Sequence, residues 1–316
     1  MCGFSVEGAF MKYYLAPMEG LTDSIFRQVH HKYFPGVDTY YMPFFSPTVH
    51  RRLTPREERE LPAADSVPFR AVPQVLTKDS DSFLWAAQVC LDRGYDEVNL
   101  NCGCPSGTVV AKGKGSGMLG NPETLDQFLG EVFEKSPIPV SVKTRLGLEA
   151  PEEFYALLEV FNRYPIRELT IHPRVRRQFY SGSADREMFQ WAWENSANPL
   201  CFNGDISSPS QAAELQEAFS GLQSVMIGRG LIADPGMLCG GTDIRLLERY
   251  MAELMEAYAA AFGSSRNAMF RLKEHWGLLQ SRFPGGEKLF KRLRKSTELG
   301  EYNSICSEIF HTLEFK

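Results

Sequence analysis

The stretch "SDSFLWAAQVCLDRGYDEVNLN", residues 80–101, changes its apolar period part-way along. Phe83, Ala86, Ala87, Cys90 and Leu91 recur at i, i+3, i+4, i+7 and i+8, the spacing of one helix face, and Gly94 stands where a C-cap falls. Cys90 is therefore read as a core thiol. From Asp96 the chain turns into a short β-rich run, so one amphipathic helix feeds one buried strand. The unit recurs. Runs of the strand kind are "YYLAP" (13–17), "VDTYY" (37–41), "FRAVPQV" (69–75), "DEVNLN" (96–101), "IPVSVKT" (138–144), "ELTIHP" (168–173), "PLCFN" (199–203) and "SVMIGR" (224–229).

Between these runs lie helix signatures. Asn121-Pro122 reads as N-cap and first turn of a helix whose face is Leu125, Phe128, Leu129 and Val132, and Ser208-Pro209 repeats the signature. Phe154, Leu157, Leu158 and Phe161 form another face. Eight strand runs alternating with helices predict an α/β fold, a (β/α)8 TIM barrel, with a doubly wound open sheet as competitor. In both folds chemistry belongs at the carboxyl ends of the strands. Beyond "GMLCGGTD" (236–243) the pattern is helical throughout. The expected division is a catalytic barrel over 11–240 and a small all-helical C-terminal domain over 241–316.

The 316 residues are 43% apolar and 23% charged, ordinary globular values, and no apolar run reaches the ~18–20 residues that cross a bilayer. "MCGFSVEGAF" lacks the basic and apolar regions of a signal peptide. A soluble, cytoplasmic monomer is expected. The ten residues before Met11 are read as a short extension, or translation starts at Met11. Seven cysteines, at irregular positions, do not form a secreted disulfide framework, and no second Cys/His pair at ligand spacing accompanies Cys102 and Cys104, so no metal is expected. The net charge of −5 argues against general nucleic-acid binding. Its distribution is uneven: residues after 240 carry 12 Lys+Arg against 10 Asp+Glu, with the basic residues concentrated in "EKLFKRLRKS" (287–296).

Read in order, the strand ends present Pro17, Met18 and Glu19; Gln74; Asn99, Asn101 and Cys104; Lys143 and Arg145; His172; Asn203, Gly204 and Asp205; and Gly228, Arg229 and Gly230. A single strand-end amide usually satisfies loop backbone, and a lone histidine more often caps than catalyses; together these residues predict a polar pocket. Glycines in "NGDISSPS" and "IGRG" open the loops after the last two strands, where a barrel holds a phosphate on backbone N–H groups, with Arg229 adding a charged contact. "GKGSGMLG" (113–120) contains a formal G-x-G-x-x-G, but it follows no strand directly and opens no helix, so the dinucleotide fingerprint fails its context. It is read as a flexible loop over the pocket mouth, with Lys112 and Lys114 at its shoulder. "HRRLTPREERELPAADSV" (50–67) is read as a solvated loop.

"APMEGLTD" (16–23), "NLNCGCPS" (99–106) with "KGKGSGML" (112–119), "SVKTRLG" (141–147), "LTIHPR" (169–174), "FNGDI" (202–206) and "VMIGRG" (225–230) together resemble the tRNA-dihydrouridine synthases, in the family's order. The resemblance implies a barrel that binds FMN and uses NADPH to reduce uridines of tRNA. Pro17, Met18 and Glu19 would lie along the flavin, Gln74 would hydrogen-bond its ring and Lys143 would sit near its pyrimidine edge. His172, Asn203, Gly204, Asp205, Gly228 and Arg229 would hold its ribityl-phosphate arm. Cys104 would be the catalytic acid, with Cys102 a packing neighbour. Asn99, Arg145, Arg174 and Tyr180 are candidates for the target base. Pro173 stands where the family usually has glycine, which leaves the place of Arg174 open. Lys288, Lys291, Arg292 and Lys295 fall at i, i+3, i+4 and i+7, a basic stripe suited to tRNA phosphates. The competing readings are an FMN-dependent reductase of a free pyrimidine, similar to dihydroorotate dehydrogenase, and an RNA-binding barrel without cofactor.

Overall fold

Every one of the eight runs forms a strand. The computed structural model describes residues 11–316; the ten residues before Met11, Cys2 among them, lie outside the described residues. In chain order the strands are β1 (Lys12–Leu15), β2 (Thr39–Tyr41), β3 (Ala71–Val72), β4 (Gln74–Val75), β5 (Val98–Cys102), β6 (Val140–Arg145), β7 (Leu169–His172), β8 (Leu200–Asn203) and β9 (Ser224–Ile227). All pair in parallel, in the order β3-β2-β1-β9-β8-β7-β6-β5-β4. Only Pro73 separates β3 from β4. Proline has no N–H for the ladder, so it divides one strand into two short pieces. β3 pairs with β2 on one side and β4 with β5 on the other, which closes an eight-stranded barrel.

The period-two alternation of a strand sorts side chains between the barrel interior and the layer under the helices. Leu100, Cys102, Val140, Val142, Leu169, Ile171, Val225 and Ile227 join the large core that the helices cover. Tyr14, Ala16, Tyr41, Val72, Cys201 and Met226 make a separate small cluster. The remaining inward positions are polar, among them Asn99, Asn101, Ser141, Lys143, Thr170 and Asn203.

The helix predicted from residue 80 runs Ser80–Asp92 and buries Phe83, Ala86, Ala87 and Cys90. Asn121 caps Pro122–Lys135 through Thr124 N, and Ser208 caps Pro209–Ala218 through Gln211 N. The insert after β2 differs from expectation. Its "TPRE" forms a capping box in which Thr54 and Glu57 satisfy each other's backbone N–H, starting the helix Pro55–Glu60. Glu60 then pairs with the buried Arg27 of helix Ser24–Tyr33, which makes the insert part of the barrel wall.

The C-terminal segment adds helices Ile244–Phe262, Ser265–Leu279, Glu287–Lys295 and Leu299–Thr312. Their apolar faces, including Tyr250, Leu254, Trp276, Phe290, Leu293 and Ile305, are continuous with the barrel's outer core. Three polar contacts tie this segment to the loop after β1. Tyr258 donates its hydroxyl to Asp23 Oδ1 at 2.8 Å, His275 Nε2 meets Leu21 O at 3.1 Å, and Arg271 donates to Gly20 O. Gly20 sits at φ 78, a turn conformation that favours glycine.

Candidate active site

A cavity of about 590 Å3 opens at the carboxyl ends of the strands. Its wall contains Pro17, Met18, Glu19, Cys104, Lys143, Arg145, His172, Asn203, Gly204, Gly228 and Arg229, so residues separated by more than 200 positions share one site. Three loops meet closely there. A Cβ on Gly230 would collide with the carbonyl of Ile206, and one on Gly228 would lie 3.2 Å from the sulfur of Met18.

Beneath the cavity runs a ladder of amides. Asn99 donates Nδ2 to Ser141 Oγ at 2.9 Å, Gln74 donates Nε2 to Asn99 Oδ1 at 2.8 Å, and Asn101 donates Nδ2 to Gln74 Oε1 at 2.7 Å. The last rung holds the cysteine loop: Asn101 Oδ1 accepts from Gly103 N at 3.0 Å and Cys104 N at 2.9 Å. Behind that loop, Ser116 donates its hydroxyl to Cys104 O at 2.8 Å, and a Cβ on Gly115 would come within 3.0 Å of Cys104 Cβ. The glycine segment is therefore a 3-10 turn, Gly115–Gly120, packed as a backstop to Cys104 and not a flexible flap over the mouth.

The two cysteines of "NLNCGCPS" part company. Cys102 ends β5, is fully buried in the outer core, and burial pushes its thiol far up. Cys104 lies in the loop and lines the cavity. Burial raises its pKa most, and the Glu19 carboxylate adds to it, against the lowering influence of the Ser106 backbone and of Arg145 and Lys143. The net shift is upward, so at neutral pH Cys104 carries a proton and can give it away.

Cations gather beside the cysteine loop. Burial and the neighbouring Arg145 push the Lys143 ammonium down to about 7, and the group makes no hydrogen bond or ion pair among the described residues. Arg145 donates Nε to Gly103 O at 3.0 Å and Nη1 to Val175 O at 3.2 Å, bridging the loops after β5 and β7. Burial, then Lys143, Arg145, Arg174 and Arg229, hold His172 well below its usual pKa. Arg174 Nη1 lies 3.0 Å from His172 Nε2. A guanidinium only donates, so Nε2 is the lone-pair nitrogen and the ring proton sits on Nδ1.

Arg174 is 1% exposed. Its backbone N–H bonds His172 O at 2.7 Å, a three-residue turn centred on Pro173, whose fixed φ suits an inverse γ-turn. The side chain then reaches Asp205 Oδ2 at 2.5 Å and the carbonyls of Ser181 and Gly182. Burial would raise the Asp205 carboxyl, but the bond and charge of Arg174, with Arg229, outweigh it and leave the group ionised. Arg174→Ala is expected to destabilise the fold by roughly 2–3 kcal/mol, less than a fully buried pair because Asp205 keeps solvent contact. Urea unfolding checks this; an unchanged midpoint would contradict it.

The barrel resembles two solved structures at low identity: morphinone reductase in complex with tetrahydroNAD (12% identity, TM-score 0.50, 72% of this chain and 85% of that one) and histamine dehydrogenase from Rhizobium sp. 4-9 (11%, 0.53, 84% and 49%). These show the fold alone. The family model "Dihydrouridine synthase (Dus)" matches residues 14–307. The chain belongs to the dihydrouridine synthase family. Among curated relatives it is 30% identical over 223 residues to tRNA-dihydrouridine synthase B of Pasteurella multocida (strain Pm70), covering 70% of this chain and 66% of that protein. It is 26% identical over 317 residues to tRNA-dihydrouridine(16) synthase of Neisseria meningitidis serogroup A / serotype 4A (strain DSM 15465 / Z2491), covering 95% of each.

In this dihydrouridine synthase the structure relocates three expected contacts. Gln74 and Asn99 are fully buried and spend amide hydrogen bonds on each other, so they support the floor and do not line the cavity. Arg174 likewise stands behind His172 and is not a free donor to substrate. Lys288, Lys291, Arg292 and Lys295 are exposed on helix Glu287–Lys295, away from the cavity wall, and Arg292 pairs with Glu308 at 3.0 Å. Sequence reasoning missed Glu274, Gly277 and Leu278, which helix Ser265–Leu279 brings into the cavity wall. It also missed Phe44 and Phe179, although "QFYSG" placed an aromatic beside the Tyr180 it did single out.

Proposed function

We propose that this enzyme reduces the C5=C6 bond of selected uridines in tRNA, with FMN as cofactor and NADPH as reductant, and that Cys104 donates the proton. The observation that carries this reading is the thiol itself: Cys104 keeps its proton and faces the cavity, where burial and Glu19 hold its pKa up against Arg145 and Lys143. The residues present fit FMN. The cavity is large enough for a cofactor and a base, its cationic wall suits a phosphate and a reduced, anionic ring, and Lys143 makes no hydrogen bond or ion pair among the described residues.

Gly204, Gly228 and Arg229 would take the phosphate, with Asn203 and the Nδ1–H of His172 along the ribityl arm. Asp205 holds Arg229 and Arg174 in place for that task. Pro17, Met18 and Glu19 would flank the ring, Lys143 would balance its charge when reduced, and Gln74 would steady the ring from below through Asn101. When bound, FMN supplies a hydride to carbon 6 of uracil. Cys104 then protonates carbon 5, from a loop that Asn101 and Ser116 keep in register. Arg145 would bind the base beside it.

The reduced ring is an anion over its pyrimidine portion and beside Lys143 would raise the ammonium's pKa, so binding the reduced cofactor takes up a proton wherever the free ammonium has lost one. Affinity for reduced FMN is therefore expected to fall by up to about tenfold per unit above pH 7, until the complex itself loses the proton. Lys143→Met should abolish the slope. Anaerobic titration of apoprotein with dithionite-reduced FMN at several pH values checks this; the same slope in the variant would contradict it.

Residues 11–240 are proposed as the catalytic unit and 241–316 as the tRNA-binding unit, working as a monomer in the cytoplasm, where tRNA is found. The test is anaerobic. NADPH-reduced enzyme should be reoxidised by tRNA lacking dihydrouridine and not by uracil or orotate. Reoxidation by a free pyrimidine alone would favour the dihydroorotate-dehydrogenase-like alternative.

A further inference from the structure

We propose that Phe179 is a stacking platform for a nucleobase flanking the reduced uridine, and therefore a specificity-determining residue; this rests on the tRNA reading above. Phe179 lies in the cavity wall yet is 45% exposed, and its ring belongs to no hydrophobic core. Its backbone is at φ 49, ψ −96, a region that residues bearing a side chain rarely occupy. The only other non-glycine with positive φ among the described residues is Arg51, far along the chain in the insert.

The turn is held from several sides. Val175 N donates to Gln178 Oε1 at 2.8 Å, Phe179 N to Arg176 O at 3.1 Å, and Ser181 Oγ to Gln178 O at 2.7 Å. An unfavourable backbone fixed this firmly, presenting a large apolar ring to solvent at a cavity mouth, points to a contact made only with ligand.

The surroundings select the ligand. The neighbouring Tyr180 ring already carries two guanidinium groups, Arg229 at 4.8 Å and Arg145 at 5.6 Å. Phe179 has one, Arg176 at 5.8 Å. Arg177 beside it is exposed, with one loose ion pair to Glu149 at 3.9 Å. A flat apolar ring among arginines is what holds single-stranded nucleic acid: the ring meets a base face and the cations meet phosphates. A uridine that reaches Cys104 must leave its stack, which bares the face of a neighbouring base. Phe179 stands at the mouth where that face would emerge. It reads no base edge, so it fixes where the RNA strand turns and not which base is there.

The test uses full-length holoenzyme with Phe179→Ala, Phe179→Gly and Phe179→Trp. Glycine accepts the positive φ, so that variant keeps the turn and removes only the ring. Flavin absorbance and melting temperature report folding. Phe179→Ala and Phe179→Gly are expected to weaken tRNA binding roughly 5- to 100-fold, with Phe179→Trp close to wild type. An abasic residue beside the reduced uridine should cost the wild type a similar factor and Phe179→Ala nothing further. Folded Ala and Gly variants that bind tRNA as wild type does would overturn the inference. So would a rise in KM for NADPH with tRNA binding unchanged. If the wild type binds tRNA through Phe179 but forms no dihydrouridine, the catalytic reading fails and the platform stands.

Discussion

Cys104→Ala is expected to lower dihydrouridine formation roughly 10²–10⁴-fold, the range for loss of a positioned general acid, while NADPH still reduces the bound flavin. The split follows from placement. Cys104 faces the cavity and its elevated pKa keeps the proton available, whereas nothing in the reductive half-reaction needs that proton. Alanine removes little volume from a half-buried loop that Asn101 and Ser116 hold through its backbone, so the loop should stay in register. Cys102→Ala should behave oppositely. It is fully buried in the outer core, so the variant loses roughly 1 kcal/mol of packing and keeps its activity. Stopped-flow flavin absorbance separates the two half-reactions. A Cys104→Ala enzyme as fast as wild type with tRNA would remove the thiol from the mechanism.

Replacing Lys288, Lys291, Arg292 and Lys295 together by Gln is expected to weaken tRNA binding roughly 100-fold near 0.1 M salt and to flatten the log–log salt slope by roughly 2–4. The four side chains are exposed on one helix whose other side, Phe290 and Leu293, is buried, so the substitution leaves the packing intact. Three of them make no ion pair among the described residues. Arg292 must exchange Glu308 for phosphate, which puts its share at the low end. Flavin content should not change. Equal slopes for both proteins would show the stripe to be a solvated helix face.

The barrel was legible because its information is local. Period-two runs, helix-period runs and the Asn-Pro and Ser-Pro starts each lie within a dozen residues, and the strand ends then converge by topology. Pro73 illustrates the limit of such reading: "FRAVPQV" is one strand in the barrel's path and two in its hydrogen bonding. The insert helix was also legible in principle, since Thr54 and Glu57 stand at capping-box spacing; its charge made it look like a loop. Other features were not local. The burial of Arg174 depends on Asp205, and the approach of Glu274, Gly277 and Leu278 to the cavity depends on how the C-terminal helices dock on the loop after β1. No periodicity records such distant contacts. Motif matching also named Gln74 and Asn99 without showing that they bond each other below the floor.

The most direct measurement is nucleoside mass analysis of tRNA that lacks dihydrouridine, after incubation with the purified enzyme and NADPH. The account predicts uridine gaining two hydrogens at defined positions with wild type and almost none with Cys104→Ala. A folded, flavin-loaded wild-type enzyme that consumes no NADPH in response to tRNA and leaves every uridine unchanged would contradict it.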